Sequence, residues 1–192
     1  MIKIRRGTFE TNSSSTHSIV IPRKKEPILS TENDLFVFDT GWYQWRFNKY
    51  DFANYLWTAI LLFNRYYEDC NTYYIDYWSK KEFKLHSVDE WKNKIRKILS
   101  PYYTNIIFKM PEIEYYGEKN WDYLDCSIDH VDRTIELLDK LYNDEKLLLN
   151  SILYGKVFTG NDNSYDYERI YDEEIGKYEA DNENYFVYYK GN

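Results

Sequence analysis

One polar stretch near the start of the chain, Arg6 to Ser18, constrains the fold more than any other part of the sequence. It contains seven consecutive small or hydrogen-bonding residues, Thr11 to His17. Apolar and basic residues alternate before it, as in a β-strand, and residues 18–21 have the pattern of a second strand that Pro22 ends. Ordering such a stretch costs conformational entropy, and its buried backbone groups need partners. The pattern therefore predicts a β-hairpin over residues 1–21 within the main sheet, with a polar loop at its end.

The same residues resemble a known N-terminal motif. The run Phe-Glu-Thr-Asn-Ser-Ser-Ser-x-His-Ser, within Arg6 to Ser18, is similar to the N-terminus of a family of uncharacterised proteins of Gram-positive bacteria and their phages. The resemblance implies a bacterial or phage origin. It supplies no activity, so the function has to come from the residues themselves.

Length and composition favour one domain over residues 1–192. Hydrophobic residues make up 43% of the chain, which is enough for a core, and 22 tyrosines require that core or its rim to satisfy many hydroxyls. The longest apolar run, Leu56 to Phe63, is too short to span a bilayer. The chain start lacks the apolar segment of a signal peptide, and Cys70 and Cys126 lack metal-ligand spacing. We therefore expect a cytoplasmic protein with reduced thiols and no membrane contact.

Hydrophobic periodicity predicts an α+β fold, with a mixed, largely antiparallel sheet packed with about four helices. The predicted strands are residues 18–21, 35–38, 42–47, 105–110, 126–128, 156–159 and 185–189. The predicted helices are residues 52–67, 88–99, 129–142 and 145–154. Asp51 precedes the first helix as a candidate cap, and Ser87 with Glu90 forms a capping box for the second. Gly155 has the position of a left-handed C-cap, and we expect His86 at the surface.

Charge is unevenly distributed along the chain. The net charge of −7 argues against general binding of the nucleic-acid backbone. Residues 1–25 hold six basic side chains and one acidic, a net of +5, whereas residues 161–192 hold nine acidic and three basic, a net of −6. The pattern indicates either two solvated faces or a basic mouth around the polar stretch and an acidic C-terminal segment that engages a partner.

Three polar clusters lie where the pattern places the ends of strands, which is where binding sites are commonly built. The first is the polar stretch that ends at His17. The second is Ser127 to Asp132, at a predicted strand-to-helix junction, and the third is Gly160 to Ser164, directly after a predicted strand. A structural role is the alternative, because Ser, Thr, Asn and Asp side chains also cap turns and helices.

The hydrogen-bond donors of the polar stretch favour an anion site. Hydroxyls and backbone amides can cradle a phosphate with Arg6 balancing its charge, although the glycine spacing of a P-loop is missing. Glu10 would repel an anion unless it pairs with an arginine, or else the true ligand is a cation. The predicted ligand-binding residues are Arg6, Glu10, Thr11, Asn12, Ser13, Ser15, Thr16, Ser18, Asn161 and Asp162.

Catalysis at the same place is a further hypothesis. Ser14, or one of its neighbours Ser13 and Ser15, is a candidate nucleophile. His17 or His130 would be the base, and Asp129 or Asp162 the group that orients the imidazole. The two histidines could instead bind a divalent metal together with Asp129 and Asp162, although no metal-binding spacing is present. The identity of a cofactor is therefore left open.

Two functions remain as alternatives. The first is a ligand site for a phosphate-bearing molecule, such as a nucleotide or a nucleic-acid end, with or without catalysis. The second is a non-enzymatic phage counter-defence protein of the anti-CRISPR type. Its acidic, tyrosine-rich surface over residues 161–192 would bind a host protein that handles nucleic acid. Convergence of the three polar clusters would favour the first function.

Overall fold

The computed structural model describes residues 15–23, 35–41, 43, 48–66, 73–75, 81–111, 114–115, 118–119, 128, 134–161 and 183–190. The strands are β1 (Ser15–Pro22), β2 (Leu35–Phe38), β3 (Asn48–Asp51), β4 (Tyr73–Ile75), β5 (Glu82–Lys84), β6 (Asn105–Phe108), β7 (Glu114–Tyr115), β8 (Glu118–Lys119), β9 (Lys156–Asn161) and β10 (Tyr185–Lys190). The helices are α1 (Phe52–Tyr66), α2 (Val88–Leu99), α3 (Ile135–Asn143) and α4 (Glu145–Tyr154). The described residues thus form an α+β fold with a largely antiparallel sheet, which confirms the predicted class.

The main sheet has the strand order β10-β1-β9-β3, and all its neighbours are antiparallel. Ile19 of β1 lies opposite Tyr188 of β10 and Val157 of β9, and it belongs to the hydrophobic core as predicted. The predicted hairpin between β1 and the residues before the polar stretch is wrong, because β9 and β10 occupy both sides of β1. Phe9, the other predicted core residue of that hairpin, lies outside the described residues.

Helix α1 is the central element of the core. Every residue from Phe52 to Phe63 is buried except the half-buried Asn54. The helix contacts β2, β3, β9, α2 and α4, and an apolar surface on all sides is typical of a helix enclosed in this way. The buried Thr58 hydroxyl of α1 is paired, since Thr58 Oγ1 donates to the Asn54 carbonyl at 2.8 Å and accepts from the Gly41 N–H at 3.0 Å.

Strands β2 and β6 form a separate two-stranded parallel sheet against α1. Phe38 stacks on Phe108 with ring centroids 4.8 Å apart. The Trp57 ring of α1 packs on Phe108, and its indole N–H donates to the Lys109 carbonyl at 2.7 Å. Apart from Tyr43, residues 42–47, the predicted hairpin partner of residues 35–38, lie outside the described residues, so that pairing stays a prediction; the partner that the structure shows is β6. An apolar strand does not encode its partner, and this partner lies far along the chain.

Helix α2 begins with the predicted capping box. Ser87 Oγ accepts from the Glu90 N–H at 3.2 Å, and Glu90 Oε2 accepts from the Ser87 N–H at 2.8 Å. Trp91, Ile95 and the neighbouring Ile98 and Leu99 form its buried face, also as predicted. The sequence suffices here because both capping partners belong to the same turn of helix.

Gly155 follows α4 where predicted, but not in the predicted conformation. Its φ of −64° and ψ of 145° are extended rather than left-handed. A Cβ at this position would lie 2.8 Å from the Cβ of Phe52, and the Phe52 N–H donates to the Gly155 carbonyl at 2.9 Å. The Ser151 carbonyl oxygen would lie closer still, at 2.5 Å, so glycine is required here by these two contacts and not by a positive φ.

Several predicted boundaries move. Strand β1 begins at Ser15 and β9 ends at Asn161, so parts of two predicted polar loops are strand. Their backbones pair with each other, which satisfies them without a loop. The third helix begins at Ile135 rather than at residue 129, and residues 129–133 lie outside the described part of the chain. Asp51 is the last residue of β3, where its carboxylate accepts from the Lys156 ammonium.

Within these residue ranges, none of the helices has the length and apolar character needed to cross a membrane. The antiparallel pairs β4–β5 and β7–β8 complete the described secondary structure. Neither pair was predicted, because both lie in tyrosine-rich segments without clear alternation.

Candidate functional site

The register of the main sheet brings the first and third predicted clusters together. The cross-strand partners are Ser15 with Asn161, Thr16 with Gly160, His17 with Thr159, His17 with Lys190, and Asn48 with Thr159. Residues that are far apart in the sequence thus meet at one end of the sheet. The first and third clusters therefore converge. In the second cluster only Ile128 is described, and it makes a parallel bridge with Tyr43.

Six of these positions share one face of the sheet, because they lie directly opposite one another or two residues apart on a strand. We call them the polar end: Ser15, His17, Asn48, Thr159, Asn161 and Lys190. The next row inward on the same face is Tyr188, Ile19, Val157 and Tyr50, which packs in the core. The face therefore changes from apolar to polar along the strands, and Thr159 is fully buried at this boundary.

The residue types of the polar end favour a negatively charged ligand. By residue type, two of the six carry hydroxyls and two carry amides, one is histidine and one is lysine. None of the six is acidic.

Not all of the predicted binding residues belong to this group. Thr16 and Ser18 occupy the opposite face of β1, the face of Val20 and Phe158. Ser18 is buried there, and its Oγ has no hydrogen-bond partner among the described residues. Because residues alternate between the two faces along a strand, the polar stretch is divided between both faces of β1. A prediction of a loop does not distinguish these faces. Thr16 and Ser18 are consequently separated from the predicted site.

The remaining predicted site residues lie outside the described residues. These are Arg6, Glu10, Thr11, Asn12, Ser13, Ser14, Asp129, His130 and Asp162. The catalytic and metal hypotheses depend on them and stay predictions. Within the described ranges, no three His, Cys, Asp or Glu side chains are grouped so that they could hold a metal ion.

Tyrosines line the core beside the polar end. The Tyr43 ring makes edge contacts with Tyr50, at a centroid distance of 4.9 Å, and with Tyr55, at 5.0 Å. Burial raises the pKa of Tyr43 and of Tyr55 well above the usual value, so both hydroxyls stay protonated and neutral. The high tyrosine content predicted buried hydroxyls of this kind, but it could not say which tyrosines supply them.

A second polar feature, around His86, was not predicted as a site. His86 lines a cleft between α1, α2, α3 and β5, together with Asn64, Lys84, Trp91, Leu138 and Asp139. Its side chain is only 8% exposed, so the predicted surface position is wrong. The reason is tertiary: Tyr142 of α3 stacks on the imidazole, with ring centroids 3.3 Å apart and planes 10° from parallel. No sequence pattern near residue 86 predicts Tyr142 as its stacking partner.

Comparison with known proteins leaves the site to be interpreted from its own geometry. No protein-family model, no curated protein and no solved structure matches the chain.

Proposed function

We propose that the polar end of the main sheet binds a phosphate-bearing ligand, such as a nucleotide or the phosphorylated end of a nucleic acid. The supporting observation is the cross-strand register, which places Ser15 and His17 beside Thr159 and Asn161 and adds Lys190 and Asn48 from the flanking strands. The proposal concerns binding and assigns no reaction.

The chemistry of the group suits a phosphate better than a cation. Lysine is a common phosphate ligand, and hydroxyl, amide and imidazole groups donate hydrogen bonds to phosphate oxygens. A cation site would need carboxylates or several carbonyl ligands, and the six positions include no carboxylate. The neighbouring row also suits a ligand with an apolar part, since Tyr50 and Tyr188 are half-buried members of the core.

Calorimetric titration tests the proposal. The probes are inorganic phosphate, ADP, ATP and a short 5′-phosphorylated oligonucleotide, each with and without Mg²⁺, and a 5′-hydroxyl oligonucleotide serves as the uncharged-end control. We expect the phosphorylated probes to bind. Replacement of Lys190 or His17 by alanine should remove a charge-assisted hydrogen bond, worth about 1.5–3 kcal/mol, and weaken binding roughly tenfold or more.

Lys49→Ala is the matched control for Lys190→Ala. Both lysines lie on edge strands of the main sheet, but Lys49 is exposed on the opposite face, where its ammonium lies 5.4 Å from the centroid of the Phe158 ring. The control variant should bind the probes as wild type does. Equal losses in the two variants would mean that net charge alone attracts the probe. Absence of binding by wild type to every phosphorylated probe would overturn the proposal and favour the acidic C-terminal segment as the functional surface.

A further inference from the structure

The imidazole of His86 is buried at the meeting point of three helices and a strand. Tyr142 of α3 stacks on its face, and Trp91 of α2 approaches its edge at 6.4 Å between centroids. The Asn64 amide of α1 donates to the His86 carbonyl at 3.2 Å. Residue 86 therefore links α1, α2 and α3 directly after β5.

One of the two imidazole nitrogens, Nδ1, lacks a hydrogen bond that would balance its burial. Nδ1 is shielded from solvent and has no partner among the described groups. The nearest carboxylate oxygen, Glu90 Oε1, lies 3.8 Å away, which is too far for a hydrogen bond. The other oxygen of that carboxylate is fixed by the Ser87 N–H in the capping box.

The charges around the ring oppose one another. Glu90 of α2 and Asp139 of α3 favour a protonated ring, whereas Lys84 of β5 disfavours it. Lys94 of α2 adds a positive charge on the Tyr142 ring, 4.7 Å from its centroid. The α1 side chains in the cleft, Phe63 and Asn64, carry no charge. Desolvation is the largest effect; it exceeds the opposing influence of the two carboxylates and lowers the pKa of His86 below its usual value.

From this geometry we propose that His86 is an acid-sensitive joint: protonation of its ring releases α3 from α2 and β5. A charged imidazole without a hydrogen-bonded partner is costly at a buried position, so the ring would leave the cleft and give up its stacking on Tyr142. The proposal does not depend on the ligand proposed for the polar end.

The direction of the pH effect follows from linkage. The unfolded or opened chain binds a proton at His86 more readily than the closed form, because the pKa is lowered only in the closed form. The stabilising effect of the buried neutral ring is complete above the ordinary histidine pKa of about 6.5. It is lost as the pH falls from there towards the folded pKa, and it does not decrease further below that value.

Wild type and His86→Phe are compared by urea unfolding between about pH 5.5 and 8, a range in which carboxylates with ordinary or lowered pKa values stay ionised. Phenylalanine keeps the ring stacking but cannot take up a proton. We expect the unfolding equilibrium constant of wild type to rise relative to the variant as the pH falls, by at most tenfold per pH unit. Amide exchange, corrected for intrinsic rates, should accelerate in α3 of wild type only.

If His86→Phe does not fold, an NMR titration of His86 in wild type tests the proposal instead. The chain has three histidines, so its signal is assigned by a His86→Gln substitution. A midpoint clearly below 6.5 with accelerated exchange in α3 supports the joint. A midpoint at or above 6.5, or equal pH dependence of wild type and variant, overturns it.

Discussion

Helix α1 and strand β1 both bury polar side chains, but only in α1 are these side chains hydrogen-bonded. Thr58 and Trp57 bond to backbone groups of other segments, and Asn64 donates to the Ile60 carbonyl at 2.9 Å as well as to His86. On β1, by contrast, Ser18 Oγ is buried without a partner among the described residues.

The contrast distinguishes buried polar groups that stabilise the fold through hydrogen bonds from a buried polar group that does not. A buried group that is fully paired contributes to stability, and its removal leaves its partner unsatisfied. A buried polar group without a partner lowers stability or leaves it unchanged. Changes to the paired groups of α1 should therefore lower the free energy of unfolding, whereas removal of the Ser18 hydroxyl should not.

The largest effect is expected at Trp57. Trp57→Ala removes a fully buried indole, its contact with Phe108 and its hydrogen bond to Lys109, so we expect a loss of about 3–5 kcal/mol in the free energy of unfolding. Ile107→Ala is the control, because this side chain is 48% exposed on β6 and should cost about 1 kcal/mol or less. Chemical denaturation measures both. Similar losses would show that α1 is not the centre of the core.

An intermediate effect is expected at Thr58. Thr58→Val keeps the shape of the side chain but leaves the Gly41 N–H without its acceptor, so we expect a loss of about 1–3 kcal/mol. The same denaturation experiment measures it. An unchanged stability would mean that the Gly41 N–H finds another acceptor, and the contrast between α1 and β1 would then fail.

The smallest effect is expected at Ser18. Ser18→Ala removes a buried hydroxyl that has no partner among the described residues, so stability should be unchanged or rise by up to about 1 kcal/mol. Because Ser18 faces away from the polar end, affinity for phosphate probes should not change either. A clear loss of stability would show that the hydroxyl is hydrogen-bonded in solution, as the polar groups of α1 are.

The features that the sequence predicts well are those whose determinants lie within one turn or one strand. Ser87 and Glu90 cap α2 through bonds within a single turn, and the apolar spacing from Phe52 onwards defines a buried helix. Gly155 marks the end of α4, yet one of the contacts that exclude a side chain there comes from Phe52, a residue in another helix. The position of Gly155 was therefore predictable from the sequence, but the reason for a glycine was not.

Pairings between distant segments could not be predicted in the same way. The polar stretch has a loop-like composition, but Ser15 to His17 become strand because residues 159–161 supply the backbone partners. The parallel partner of β2 and the ring that stacks on His86 are likewise distant in the sequence. For the site, the sequence supplied the chemistry of two clusters, while the register alone shows that they meet and which residues share a face.

The position of β1 between β9 and β10 has a consequence for synthesis of the chain. β1 is synthesised before the other described strands, yet its two neighbours in the sheet, β9 and β10, belong to the last fifth of the sequence. Pairing between such distant segments is slow because a long loop must close first. Until the C-terminus emerges, Ile19, Val20 and Ile21 have no ladder partners on β9 or β10. A nascent or truncated chain that lacks β9 and β10 therefore exposes an apolar strand with two unpaired edges, which is the state most prone to aggregation and to capture by chaperones.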